Sequence, residues 1–156
     1  DAVDIVEGVL GSVASVVQKS GANLSSDIGP RPMTVLGNVT ALNGAISNLV
    51  TNAIEAGAKN VKIELVADTK NVMISVKNDG PMIKPEVSAH IFEPFYTTKS
   101  NGTGLGLAVV AAVAKVHQGD IRLVSNEKET VFTMIIPKYE GVLEPSESFK
   151  DEKSVA

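Results

Sequence analysis

The sequence predicts an α+β domain, an α/β sandwich whose helices pack on one face of a mixed, largely antiparallel sheet. Three observations predict this fold class. Apolar residues recur at helical spacing in three segments, alternating apolar and polar residues form two pairs of strands joined by short polar turns, and helices and strands are interleaved along the chain. With 156 residues, 44% of them hydrophobic, the chain is long enough for one domain with a substantial core.

The composition argues against several classes of function. The net charge is −4 and the chain has no block of Lys and Arg, so we expect no nucleic-acid partner and no polybasic membrane anchor. No apolar run reaches the roughly 18 residues of a membrane span, and we expect no direct membrane contact. The lack of cysteine excludes disulfides and thiol nucleophiles, which fits a cytoplasmic protein. Because the chain begins at Asp1, we expect it to be a piece of a longer protein.

Two helices and one strand are predicted in the first third of the chain. The first helix begins at the acidic residues around Asp1 and ends before Gly21, with valines at every third or fourth position. A short strand is expected at 22–28. The clearest helix covers about 40–57, because its apolar residues match the i, i+3, i+4, i+7 pattern at every step. These residues are Leu42, Ala45, Ile46, Leu49, Val50, Ala53 and Ile54.

The remaining elements are two hairpins separated by an irregular segment and a helix. Strands at 61–65 and 72–76 are joined by the turn residues DTKN, and DIRLVSN and TVFTMIIP form the second hairpin. Residues 79–103 are rich in Gly, Pro, Thr and Asn, with a short helix expected near 86–91, and such long loops are usually functional or disordered. A third helix at about 104–117 is apolar nearly all round and is predicted to be deeply buried except at its glycine-rich start.

Three glycines at alternate positions, Gly102, Gly104 and Gly106, stand directly before the third helix. Glycine beside a helix costs about 1 kcal/mol relative to alanine. A helix N-terminus has unpaired N–H groups and a partial positive charge, and glycines let phosphate oxygens reach that backbone. The segment therefore predicts an anion cradle, with a flexible hinge as the alternative. It is not a Walker A loop, because no Lys-Ser/Thr follows, and no strand precedes it as in a Rossmann fingerprint.

A polar stripe runs along the second helix, where Asn48, Asn52 and Glu55 stand at i, i+4 and i+7. Asparagine is a poor helix former, and carboxamide oxygens are hard ligands suited to a Mg²⁺ ion that is shared with phosphates. The alternative is an ordinary solvated face. Asp79, at the end of the first hairpin, could accept a hydrogen bond from a ligand amine or serve only as a turn residue.

The segment FEPFYTTKS places half of the six aromatic residues beside two threonines and a lysine. Thr97, Thr98 and Lys99 could clamp phosphates, and the aromatic rings could anchor a lid. The alternative is a loop that those rings hold on the core. Each of these signals is weak alone, whereas their order and spacing together are specific.

Four segments in this order resemble the N, G1, F and G2 boxes of the sensor histidine kinase ATP-binding domain. They are NLVTNAIEAGA, NDGP, FEPFYTTK and GTGLGL. That domain belongs to the gyrase, Hsp90, histidine kinase and MutL (GHKL) superfamily, so the resemblance implies the Bergerat ATP-binding fold. It covers residues 1–137 and is most similar to kinases of the nitrogen- and flagellar-regulation type. The acidic tail at 138–156 is expected to be disordered.

The resemblance implies a role for each matching residue in binding ATP and Mg²⁺. Asn52 would coordinate Mg²⁺, Asp79 would bind the adenine amino group, and residues 96–103 would form a lid. The implied catalytic residues are Asn48, Asn52 and Lys99. The implied nucleotide-binding residues are Asn48, Asn52, Asp79, Gly80, Phe95, Thr97, Thr98, Lys99, Gly102, Thr103, Gly104, Leu105 and Gly106. The chain departs from the family pattern at Met82, in place of the second G1 glycine, and at Gln118, in place of a glycine after the third helix.

Neither histidine of the chain is expected to accept a phosphoryl group. His117 stands at a helix end and is expected to be structural, and His90 lies in the short segment before the F box. The resemblance implies that the phosphorylated histidine lies on an upstream dimerisation domain of the same protein. The expected partners are that domain and the receiver domain of a response regulator. We expect the parent protein to be a homodimer and this fragment to be monomeric.

Three alternatives to the kinase stay open. An ATPase of the gyrase and Hsp90 branch would carry a water-activating glutamate one turn before the Mg²⁺ asparagine. This chain has Asn48 there, which cannot act as a general base, so transfer is favoured over hydrolysis. The second alternative is an ATP-binding interaction module without catalysis, with a pocket reshaped by Met82. The third is the related serine kinase that phosphorylates anti-anti-sigma factors.

Overall fold

The computed structural model describes residues 1–100 and 102–141, which form a single sheet with helices beside it. The helices and strands predicted from the sequence are all present, with ends shifted by a few residues. In chain order they are α1 (Ala2–Ser20), β1 (Asn23–Ile28), α2 (Val39–Glu55), β2 (Asn60–Ala67), β3 (Asn71–Asn78), α3 (Pro85–Ser88), α4 (Gly106–Val116), β4 (Asp120–Ser125) and β5 (Thr130–Pro137).

The five strands form a mixed sheet in the order β1-β2-β3-β5-β4. Strands β1 and β2 are parallel because α2 carries the chain back along the sheet between them, whereas all other neighbours are antiparallel. The two predicted hairpins are β2–β3 and β4–β5. The second hairpin joins the sheet through its last strand, β5, which pairs with β3. The predicted α/β sandwich with a largely antiparallel sheet is confirmed.

The core lies between the sheet and the helices. Every second side chain of β2, β3 and β5 is buried, as the alternation of a strand requires when one face packs on helices. Helix α2 is central and touches α1 on one side and α4 on the other. The opposite face of the sheet carries paired charges, among them Lys62, Glu64 and Lys77. The bulkiest fully buried side chains are Met33, Leu42, Ile46, Leu49, Ile63, Leu65, Ile74, Met134 and Ile136.

Backbone contacts continue past residue 137, where the domain was expected to end. The N–H groups of Lys138 and Tyr139 donate to the carbonyls of Lys70 and Thr34, each at 2.8 Å. These two residues are therefore part of the folded domain. The rest of the predicted tail, from residue 142 onward, lies outside the described residues.

Helix α4 is less buried than its composition predicts. Only Val110 and Ala114 of its residues are buried, while Val109 and Val116 are 51% and 80% exposed. The helix lies at the edge of its layer, against α2, β4 and β5, and within residues 1–100 and 102–141 nothing covers its outer face. The prediction of deep burial is wrong, because apolar composition does not report how many neighbours a helix has. A groove of about 710 Å³ runs between this face and the segment before α2.

The His117 side chain joins the end of α4 to the start of α2. The residue is 8% exposed; its Nδ1 lies 2.7 Å from the carbonyl oxygen of Val113, and its Nε2 accepts from the N–H of Asn38 at 3.0 Å. A carbonyl can only accept and an N–H can only donate, so these partners assign the neutral tautomer with the proton on Nδ1. Asn38 is in turn the N-cap of α2, where it accepts from the N–H of Ala41. His117 is therefore structural.

Replacing His117 with alanine is expected to lower the free energy of unfolding by about 2–3 kcal/mol. The change removes two hydrogen bonds, leaves the Asn38 N–H without its partner and opens a cavity between two helices. Denaturant unfolding of both proteins measures the difference. Val116→Ala, a change at the neighbouring exposed residue, should stay within about 0.5 kcal/mol. Equal effects of the two substitutions would contradict this role.

Candidate functional site

The polar stripe of α2 faces the loop that leads into α4. The amide Nδ2 of Asn48 donates to the carbonyl of Gly106 at 2.9 Å, and the carboxylate of Glu55 forms an ion pair with the Lys99 ammonium. Asn52 lies between them on the same helix face. It is half-buried, and its carboxamide makes no hydrogen bond to any described residue. The structure therefore brings Asn48, Asn52 and Lys99 together and leaves the Asn52 oxygen available to a ligand.

One of the three glycines, Gly104, is required by contacts within the chain, and the others have close side-chain neighbours. A Cβ on Gly104 would lie 2.3–2.6 Å from backbone atoms of Phe95, and Gly104 has a φ of +70° that side chains rarely adopt. A Cβ on Gly106 would lie 3.0–3.1 Å from the amide of Asn48. The glycines thus let the lid and the start of α4 pack closely on their neighbours. Close packing is therefore one reason for glycine at these positions, and the phosphate cradle predicted from the sequence is a second, separate one.

The lid is organised by its own backbone. The Phe95 N–H donates to the carbonyl of Gly104 at 2.9 Å, so the two ends of the predicted lid meet. The hydroxyl of Thr97 accepts from the N–H of Lys99 at 3.0 Å, and that of Thr103 accepts from the N–H of Leu105 at 3.3 Å. Thr98 and Gly102 are exposed, as is the ring of Phe95. Asn101 lies outside the described residues.

The structure does not bring Asp79 to this site. Its Oδ1 accepts from the N–H groups of Lys59 and Asn60 at 2.8 and 2.9 Å, and its Oδ2 accepts from the Asn60 amide at 2.8 Å. Asp79 follows β3 and lies opposite Asn60, so its side chain points to the sheet face away from the helices. The predicted contact with an adenine amino group is therefore replaced by a structural role, in which Asp79 holds the start of β2.

The side chain on the helix side is that of the preceding residue, Asn78. It is 8% exposed and continues the buried series of Val72, Ile74 and Val76. Its Oδ1 accepts from the N–H of Gly80 at 2.9 Å. Sequence reasoning missed Asn78, although the alternation along β3 could have identified it, because the residues of the strand that face the core have even numbers.

Asn78 begins a polar row across three strands. Its cross-strand partner is Thr130, which is 2% exposed, and Ser125 lies opposite Thr130 on β4. The two hydroxyls are 2.6 Å apart, and the hydroxyl of Ser125 accepts from the N–H of Ile83 at 2.9 Å. Elsewhere the described residues on this face of the sheet's centre are apolar. The row therefore marks a polar end of the core, below the loop that follows β3.

The loop after β3 is anchored over this polar end. The rings of Phe92 and Phe132 meet edge to face with centroids 6.1 Å apart, and Ile83 and Ile91 are half-buried against the core. Gly80 lies beside Ala58, just after α2, where a Cβ would be 3.7 Å from that of Ala58. Asn78 thus lies at a polar end of the core beside the residues that follow α2, the helix that carries Asn52.

Asp79 gives the domain a specific pH dependence. Hydrogen bonds from the Asn60 N–H, the Asn60 amide and the Lys59 N–H hold the pKa of Asp79 below its ordinary value of 3.8. Because the pKa is lower in the folded state than in the unfolded state, the ionised carboxylate stabilises the fold at pH values above the unfolded-state pKa. This stabilisation is lost as the pH falls through the folded-state pKa. The stability advantage over Asp79→Asn at pH 7 is therefore expected to shrink below about pH 4. Unfolding of both proteins at pH 7 and pH 3 measures it, and an unchanged difference would contradict the account.

Comparison with known proteins assigns this arrangement to a family. Residues 37–140 match the family described as histidine kinase-, DNA gyrase B-, and HSP90-like ATPase. The chain belongs to this family. It is 34% identical over 120 residues to the sensor histidine kinase CpxA of Escherichia coli (strain K12), which covers 73% of this chain and 26% of that protein. It is 38% identical over 109 residues to the heme sensor protein HssS of Staphylococcus aureus (strain JH9), over 65% of this chain and 23% of that protein.

Solved structures identify more specifically the kind of ATPase domain that this chain resembles. The catalytic domain of the histidine kinase ThkA matches with a TM-score of 0.80 and 30% identity, over 88% of this chain and 95% of that one. ThkA in complex with the response regulator TrrA matches with a TM-score of 0.75 and 29% identity, over 87% of this chain and 40% of that one. The chain is thus an ATP-binding catalytic domain of the sensor histidine kinase type.

The chain spans about a quarter of the length of the curated relatives, 26% of CpxA and 23% of HssS. Residues 1–100 and 102–141 include no helix long and apolar enough to cross a membrane. The finer resemblance to nitrogen- and flagellar-regulation kinases stays a prediction.

Proposed function

We propose that this domain holds Mg-ATP for transfer of the γ-phosphoryl group to a histidine on a separate dimerisation domain of its parent protein. The phosphoryl group would then pass to the receiver domain of a response regulator. The observation that carries the proposal is the carboxamide of Asn52, which makes no hydrogen bond to any described residue. It lies on α2 between Asn48, which is bonded to the start of α4, and Glu55, which is paired with Lys99 of the lid. The proposed parent is a homodimer, whereas this chain alone is a monomer.

Asn52 fits a magnesium site. Mg²⁺ prefers oxygen ligands and is usually held by one or two protein oxygens, with phosphates and waters completing its shell. The Asn52 oxygen meets that requirement, because no described residue occupies it. When bound, Mg²⁺ would neutralise phosphate charge and orient the γ-phosphoryl group.

Lys99 and the start of α4 supply positive charge near the proposed Mg²⁺ ligand Asn52. The N–H groups at the start of α4 are unpaired in the helix, and Thr97, Thr98 and Lys99 lie in the lid beside them. A histidine nitrogen would attack the γ-phosphorus in line, the bond to the bridging oxygen would break, and ADP would leave. Such a step needs mostly positioning and charge neutralisation from the protein.

Transfer is favoured over hydrolysis by the residue one turn before Asn52. Asn48 cannot take a proton from water, and its amide is engaged with the carbonyl of Gly106 at 2.9 Å. The role of Asn48 is to fix the start of α4 against α2. The carboxylate of Glu55 is paired with Lys99 and lies a further turn along the helix.

The test is to incubate the chain with γ-labelled Mg-ATP, alone and with the separately produced histidine-bearing domain of the parent. The expected result is no label on the chain alone and an acid-labile, base-stable label on the added domain, which is lost when its histidine is replaced. Stable label on the chain alone would contradict the proposal. Release of inorganic phosphate without transfer would instead support an ATPase, and nucleotide binding with neither transfer nor phosphate release would support an ATP-binding interaction module.

A further inference from the structure

The end of β3 carries a buried carboxamide, a group that can both donate and accept hydrogen bonds. Asn78 is 92% buried at the end of β3, on the helix side of the sheet. Its Oδ1 accepts one hydrogen bond, from the N–H of Gly80 at 2.9 Å, which leaves a second lone pair. Its Nδ2 makes no hydrogen bond to any described residue. No polar side-chain atom among them is both fully buried and unpaired, so Nδ2 is not fully enclosed.

The surroundings of Asn78 direct this amide toward a ligand. Its cross-strand neighbour Thr130 is engaged with Ser125, whose hydroxyl is 2.6 Å away. Gly80 and Ala58 flank it, and neither residue carries a bulky side chain. No charged group of the described residues pairs with Asn78, and the nearest carboxylate along the chain, Asp79, points to the opposite face of the sheet. The recognition here is therefore by a neutral amide.

A carboxamide and a carboxylate select different purines. An ionised carboxylate only accepts hydrogen bonds, so it favours the 6-amino group of adenine and repels a 6-oxo group. A carboxamide accepts from a 6-amino group through Oδ1 and donates to a 6-oxo group through Nδ2. A neutral amide therefore satisfies both kinds of purine edge without leaving a buried group unpaired.

We propose that Asn78 determines base specificity and gives the site a relaxed choice between 6-amino and 6-oxo purine nucleotides. The inference rests on the proposed function, because it assigns the base end of the same nucleotide site. It extends that function to the class of nucleotide: purine triphosphates of either kind bind with similar affinity.

Mg-ATP and Mg-ITP are the probes, because their bases differ at the 6-position and the adjacent ring nitrogen. Calorimetric titration of each into the chain is expected to give dissociation constants within about tenfold of each other. Asn78→Asp is nearly isosteric and keeps an acceptor for the Gly80 N–H, but has no donor. It is expected to weaken Mg-ITP relative to Mg-ATP by about ten- to a hundredfold beyond the wild-type ratio. Asp79→Asn, on the other face of the sheet, should keep the wild-type ratio.

The outcomes separate this inference from the proposed function. If the wild-type chain binds Mg-ATP and rejects Mg-ITP more than a hundredfold, or if Asn78→Asp keeps the wild-type ratio, the inference is overturned and the nucleotide site stands. If neither nucleotide binds the wild-type chain, both are overturned. The wild-type ratio needs no variant, so the test holds even if Asn78→Asp fails to fold.

Discussion

Replacing Asn52 with alanine is expected to reduce the affinity of the chain for Mg-ATP by about a hundredfold or more and to remove its dependence on Mg²⁺. Loss of a group that only supports a metal ligand already costs about 10- to 100-fold in metal affinity, and Asn52 is the proposed ligand itself. Its carboxamide makes no hydrogen bond to the described residues, so folding should be little affected. Calorimetric titrations of ATP with Mg²⁺ and with EDTA measure both effects.

Asn43→Ala is the matched control, an asparagine on the same helix that faces α1 instead of the lid. Its Oδ1 lies 3.4 Å from the hydroxyl of Ser47 and 3.5 Å from that of Ser12. This substitution should leave the Mg²⁺ dependence of binding unchanged. If the Asn52→Ala variant bound Mg-ATP as the wild-type chain does, the metal site proposed on α2 would be wrong.

Replacing Gly104 with alanine is expected to destabilise the lid junction by about 2–5 kcal/mol and to weaken nucleotide binding. The new methyl group would lie 2.3–2.6 Å from backbone atoms of Phe95, which cannot move aside as a flexible side chain can. The φ of +70° adds about 1–2 kcal/mol for a residue with a Cβ, and overpacking adds about 1–3 kcal/mol. Denaturant unfolding and Mg-ATP titration measure the two effects.

Gly44→Ala is the control of the same chemical kind, with the opposite expected sign. Gly44 lies inside α2, and a Cβ there would meet no atom within 4 Å. Alanine should therefore raise the free energy of unfolding by about 0.5–1 kcal/mol. A Gly104→Ala variant as stable as the wild-type chain would show that the Phe95–Gly104 junction is not the reason for this glycine.

Local patterns were sufficient to predict the elements of the fold. The apolar positions of α2 and the alternation in β2 and β3 are set by the periods of a helix and a strand, which the sequence displays directly. The partner of β3 could not be predicted in the same way. That β5 rather than β4 pairs with β3 depends on contacts between residues far apart in sequence.

The candidate site was predicted in part for a similar reason. Asn48, Asn52 and Lys99 follow from helical spacing and the motif order, and the structure brings them together. Asp79 was predicted as the adenine ligand because the family motif has an acidic residue in that role. The strand alternation instead places Asn78 on the helix side, a difference of one residue that reverses the face of the sheet.

The exposed face of α4 shows that the composition of a helix alone does not predict how much of it is buried. Its residues are apolar nearly all round, but the helix has neighbours on only part of its circumference. A helix that is apolar on all sides is fully buried only where other elements pack around its whole circumference. Within the described residues none lies over Val109 and Val116.

The most direct test of the account is a crystal structure of the chain with Mg²⁺ and a non-hydrolysable ATP analogue. The account predicts the base beside Asn78 and Thr130, the metal on the oxygen of Asn52, and the phosphates against residues 102–106. A nucleotide whose base lay against Asp79 on the opposite face of the sheet, or whose phosphates avoided both Asn52 and the glycine segment, would contradict it.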